Sequence, residues 1–73
     1  MKSVKMNLKE AIQDQLGMAQ IFKNAGKIEE AKGVIEDLAE IVRQNKNCSY
    51  YIENKGKVEH VMARVCKMVG VKW

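Results

Sequence analysis

From Asn7 to Asn45 apolar residues recur at intervals of three and four, a pattern that predicts two amphipathic helices joined by a turn at Asn24-Ala25-Gly26-Lys27. Asn7, with Glu10 three residues on, marks the first start: an Asn side chain can accept from the orphan amide at the third helical position while Glu reaches back. On a wheel of about 100° per residue, Leu8, Ala11, Ile12, Leu16, Met18, Ala19, Ile21, Phe22 and Ala25 span roughly 220°. One neighbouring helix cannot cover so wide an arc. Helix 1 (about 7–24) is therefore expected to touch at least two partners, in its own chain or in a second copy.

Gly26 falls where a helix commonly turns left-handed and stops. Helix 2 (about 27–45) follows. Its early Glu29 and Glu30 and late Arg43 suit the helix dipole, and Ile28, Ala31, Val34, Ile35, Leu38, Ala39, Ile41 and Val42 confine the apolar arc to about 160°. Phe22 and Leu38 are the expected core anchors of the hairpin. Gly17 and Gly33 interrupt the polar arcs, either as tolerated surface glycines or as places where another backbone approaches closely. The run Cys48–Gly56 reads as a loop with a short extended piece or as the early turns of helix 3. From Lys57 the pattern is helical, with Val58, Val61, Met62, Val65, Met68 and Val69 in one stripe and Gly70 near the end. Helix 3 is placed at about 54–70, with an alternative start near 48. The expected fold is all-α, a small three-helix domain made of an antiparallel helical hairpin plus a third C-terminal helix.

Met18, Ala19, Phe22, Gly26, Ile28, Ala31, Ile35 and Leu38 have the spacing of a single tetratricopeptide repeat, and the stretch from about residue 15 to 45 resembles that helical hairpin. The resemblance implies close packing of the two helices around small residues. Gln15 stands where the repeat usually has Trp and Arg43 where it usually has Pro. One copy does not make a solenoid, so the family's peptide-binding groove is not implied.

Composition narrows the function classes. A chain of 73 residues is one domain of a size whose core supplies about 3–5 kcal/mol at most, so self-association, a disulfide or a metal is expected to supplement it. Two cysteines, Cys48 and Cys66, are too few for a secreted disulfide framework. Met1-Lys2-Ser3-Val4-Lys5 leads into no apolar signal run, and a reduced, cytoplasmic protein is expected. No apolar run reaches the roughly 20 residues of a membrane span. The net charge of +4 is local: residues 1–45 hold seven Lys/Arg against seven Asp/Glu, and residues 46–73 hold six against Glu53 and Glu59.

Reactive chemistry has little material. The chain has one histidine, two serines and two aspartates and no phosphate-binding glycine loop, so no catalytic residue and no cofactor is expected. His60 and Cys66 fall about 120° apart on their helix, and Cys48, His60 and Cys66 lack both a fourth ligand and close spacing for zinc, so no metal is expected. Lys57, His60, Arg64 and Lys67, at 3, 4, 3 spacing, make a basic stripe about 120° from the apolar one. Such a stripe suits nucleic acid or an acidic partner, with Tyr50, Tyr51 or Trp73 available to stack on bases; its plain alternative is a solvated face. Met18, Ile21 and Ala25 on helix 1, with Ala63, Cys66 and Trp73, are the expected protein-interface residues. The expected function is a non-catalytic, self-associating (dimeric) interaction protein that binds a larger protein as an adaptor or inhibitor, in the manner of small phage-type host-interfering proteins. The alternative is a nucleic-acid-binding regulator using helix 3.

Overall fold

The spacing-derived hairpin forms. In the computed structural model, which describes residues 7–73, α1 spans Leu8–Asn24 and α2 spans Ile28–Gln44, followed by a short α3 (Ser49–Glu53) and α4 (Lys55–Val69). Val4 and Met6, two apolar residues that the sequence offers for packing back onto the domain, lie outside the described residues. Asn7 caps α1, but its side chain accepts from the Lys9 amide at 2.9 Å, the second helical position and not the third. Gly26 closes the helix at φ 79°, where the Lys27 amide donates to the Phe22 carbonyl (2.8 Å) and the Gly26 amide to the Lys23 carbonyl (3.0 Å). This pair of bonds satisfies carbonyls that the helix end would leave orphaned. Gly70, also at φ 79°, ends α4 in the same way, with Val71 donating to Cys66.

The ambiguous stretch after Cys48 is helical and not an extended loop. It makes a single turn from Ser49 to Glu53 before the chain breaks at Asn54, so the three expected helices become four. Packing explains the choice. A helical turn points Tyr51 into the core, where it is 4% exposed, and sets α3 against both α1 and α4.

The two largest helix contacts, with α1 and with α4, are both made by α2. Ala31, Ile35, Leu38, Ala39 and Val42 are each at most 1% exposed, and α2 carries both α1 and α4 on this one face. The two alanines let the neighbouring helices approach closely. α1 and α4 have no pair of Cα atoms within 8 Å, so they are two walls on a common floor. The extents of 36 × 32 × 15 Å fit this: the thin dimension is roughly what two helix layers need at interaxial distances of about 8–10 Å. No helix among the described residues is long and apolar enough to cross a membrane.

Two expectations of the core change. Phe22 is only half-buried at its edge, whereas Leu38 is fully enclosed. On α4 the buried residues are Val58, Met62 and Cys66, while Met68 is 49% exposed, so the packed face is turned by roughly 60° from the apolar stripe toward the cysteine. A thiol is as readily buried as a valine, and Cys66 takes the place against α2. Gly17 and Gly33 have nothing within 4 Å of an added Cβ, which makes them surface glycines with respect to this chain.

Leu38→Ala is expected to cost about 3 kcal/mol and to leave the domain largely unfolded, with Phe22→Ala costing clearly less, as read from urea melts by circular dichroism. Equal losses at the two positions would contradict this division of the core. Gly26→Ala should destabilise by about 1 kcal/mol, because its positive φ disfavours any Cβ, whereas Gly17→Ala should stabilise by about 0.5–1 kcal/mol in the same assay.

Candidate functional site

Two surfaces stand out, one on each flank of α1. The first is its outer edge. The arc of about 220° on α1 is met by α2 and α3 over Leu8, Ala11, Ile12 and Ala19, which leaves Met18 at 45% and Ile21 at 68% exposure, with Ala25 also exposed. These three expected interface residues therefore share one uncovered edge. Ile21 is the most exposed large apolar side chain among the described residues.

The second surface is the trough between the walls. It has a volume of about 290 Å³ and is lined by the half-buried Leu16 and the buried Ala19 of α1, Ile35 of α2, and Val61, Val65 and Met68 of α4. Its polar lining is Gln20, Lys23 and Arg64, with no carboxylate. No single segment of sequence shows this feature, since its lining comes from three helices.

The basic stripe is intact: Lys57, His60, Arg64 and Lys67 are all exposed on the side of α4 away from its packed face, and Arg64 also borders the trough. Ala63 is exposed on the same helix, away from the Met18 edge. Cys66 is corrected: at 0% exposure it is core, unable to meet a partner. Burial pushes its thiol above the ordinary range, with the Arg43 charge pulling weakly the other way, so the sulfur stays protonated and unreactive. Among the described residues, no group of three or more His, Cys, Asp or Glu side chains is arranged to hold a metal ion.

Trp73, the remaining expected interface residue, is half-buried and held by its own chain in a polar corner that the sequence does not reveal. Glu59 lies at its centre, accepting from the Trp73 Nε1 at 3.0 Å and from the Tyr51 hydroxyl, with the Lys46 ammonium 3.8 Å away. Arg43 donates to the Lys72 carbonyl at 3.2 Å and places its guanidinium 5.0 Å from the Trp73 ring centre, and Lys46 stands 5.7 Å from the same ring. These contacts fold the tail after Gly70 back onto α2 and α4. They also occupy two of the three aromatics expected to stack on bases, since Tyr51 is buried and Trp73 is engaged; Tyr50 is half-buried against the core. The only signal for this corner in the sequence is Glu59, the one carboxylate of the otherwise cationic α4.

The Tyr51 hydroxyl holds the Glu59 carboxyl below its ordinary range; partial burial opposes this, and the Trp73 N–H and the Lys46 and Lys55 charges reinforce it. Tyr51 is shifted up in return, because its proton is shared with that carboxylate. A lowered folded value means that Glu59 adds stability above the ordinary glutamate range, and that this stability is lost as pH falls through the lowered value. The effect is modest because Glu59 is a third exposed to solvent. Thermal melts followed through Trp73, the single tryptophan, should show wild type losing stability between pH 5 and about pH 3, where glutamates protonate. Glu59→Gln should start less stable and lose less over that range. Parallel pH curves for the two proteins would contradict the role given to Glu59.

Comparison of the chain with protein-family models, with curated proteins and with solved structures finds no match in any of the three, and the resemblance of residues 15–45 to a tetratricopeptide hairpin gains no support from them.

Proposed function

We propose that this chain is a small, non-catalytic helical interaction protein that self-associates as a dimer and acts as an adaptor or inhibitor by binding a larger protein. The observation that carries this reading is the outer edge of α1, where Met18 and Ile21 remain 45% and 68% exposed after the four described helices have packed. Large apolar side chains grouped on one edge gain free energy when a second surface removes them from water, by about 25 cal/mol per Å² of apolar area buried. A domain of 73 residues gains most from such a contact, because its own core is small.

A second reading, binding of nucleic acid, is favoured by the four exposed basic residues Lys57, His60, Arg64 and Lys67 in line on α4. Such a row can follow phosphates and release counterions. It lacks the stacking platform that single strands use, since Tyr51 and Trp73 are occupied within the chain.

Light scattering over a concentration series tests the first reading. Wild type is expected to reach twice the monomer mass at high micromolar concentration and Ile21→Glu to remain monomeric. A wild type that stays monomeric removes self-association. Capture from a cell lysate with and without nuclease separates the two classes of partner, and co-purifying material that vanishes with nuclease or with Arg64→Glu plus Lys67→Glu supports the second reading.

A further inference from the structure

We propose that the trough between α1 and α4 receives one amphipathic helix of the partner protein, a helix whose apolar ridge is flanked by glutamates or aspartates. The inference rests on the protein-binding reading above and names the chemistry of the partner. It concerns a surface separate from the outer edge of α1: Leu16 and Lys23 face the trough, whereas Met18 and Ile21 lie on the opposite flank of the same helix. It is also separate from the α1–α2 hairpin, since one wall belongs to α4.

Shape sets the kind of occupant. The lining runs from Leu16 to Lys23 on one wall and from Val61 to Val69 on the other, about 11–12 Å of helix axis at 1.5 Å per residue. That length takes two turns of a docked helix, with anchors at i, i+4 and i+7. Both walls are helices whose backbone groups are bonded internally, so the trough presents no free sheet edge to an extended peptide.

Charge sets its chemistry. Lys23 and Arg64 stand on opposite walls, neither forms an ion pair among the described residues, and no carboxylate lines the trough between them. Lys57, His60 and Lys67 extend the positive potential along the outside of the α4 wall. An apolar ridge with acidic flanks matches both features together, whereas a nucleic-acid backbone matches the cations and leaves Val61, Val65 and Met68 in water. A second copy of this chain is a poorer fit. Its acidic amphipathic helix, α2, already spends its apolar face on its own core, and on the outer edge of α1 the carboxylates Glu10 and Asp14 sit ahead of Met18 and Ile21 toward the N-terminus and do not flank them.

The test uses the full chain and a fluorescein-labelled helical peptide of about 18 residues, with leucines at i, i+4 and i+7 and glutamates on both flanks, beside a counterpart with lysines in place of the glutamates. Anisotropy titrations are expected to show the acidic peptide binding at least about tenfold more tightly than the lysine peptide, and Met68→Glu weakening it by about tenfold or more. Lys23→Glu combined with Arg64→Glu should reverse the preference and favour the lysine peptide, whereas Ile52→Glu, on α3 and outside the trough lining, should leave binding unchanged. All these positions are exposed, so the variants keep their fold. The proposal is overturned if neither peptide binds, if both bind equally, or if Met68→Glu has no effect. It is overturned in favour of nucleic acid if only a labelled oligonucleotide of about 20 nucleotides binds and Arg64→Glu abolishes that binding. It is overturned in favour of a second copy if Met68→Glu dissociates a wild-type dimer. Loss of peptide binding in Ile21→Glu alone would move the partner site to the outer edge of α1, sinking the trough while leaving the protein-binding reading in place.

Discussion

One apolar face, that of α2, has to serve two helices at once. Ala31, Ile35, Leu38, Ala39 and Val42 lie on it, all at most 1% exposed, and both α1 and α4 rest there. An arc of about 160° accommodates two neighbours only if they splay, and no Cα atoms of the two walls come within 8 Å of each other. The trough follows directly from that limit. So does the uncovered edge of α1: a helix apolar over more than half its circumference, docked on a shared floor, buries the side facing α2 and α3 and leaves the other in water.

The opposite end of α2 shows how the same domain deals with polar groups. Glu59 would be a costly carboxylate to hold beside the core without partners; Tyr51, Trp73 and Lys46 supply them, and no buried side-chain polar atom among the described residues is left without a hydrogen bond. This corner binds the tail after Gly70 and consumes Tyr51, Trp73 and much of what Arg43 and Lys46 could offer a ligand. The positive charge left available on α4 lies on its outer flank, with Arg64 reaching the rim of the trough. The molecule thus has a saturated polar corner and an unsaturated apolar trough with a cationic rim, and the trough and the α1 edge are where a partner has free energy to gain.

The sequence by itself determined the all-α class, the hairpin, the turn at Gly26 and the stop at Gly70, because these rest on local physics: the 3.6-residue period, the positive φ that glycine tolerates, and a composition rich in helix formers. It also placed Met18, Ile21 and Ala25 on one apolar arc and the four basic residues on another, since residues on one helix keep their angular order whatever packs beside them. Only the tertiary structure decided which part of each arc is covered. The wheel of α4 centres on Val58, Val61 and Val65, and the choice to turn it toward Cys66 comes from α2 on one side and from the bonds of Glu59 to Tyr51 and Trp73 on the other. Cys66 left the candidate interface for that reason. The trough was beyond any reading of a single stretch, because its walls meet its floor from segments that helix periodicity treats as unrelated, and their separation is set by how much apolar surface α2 can share.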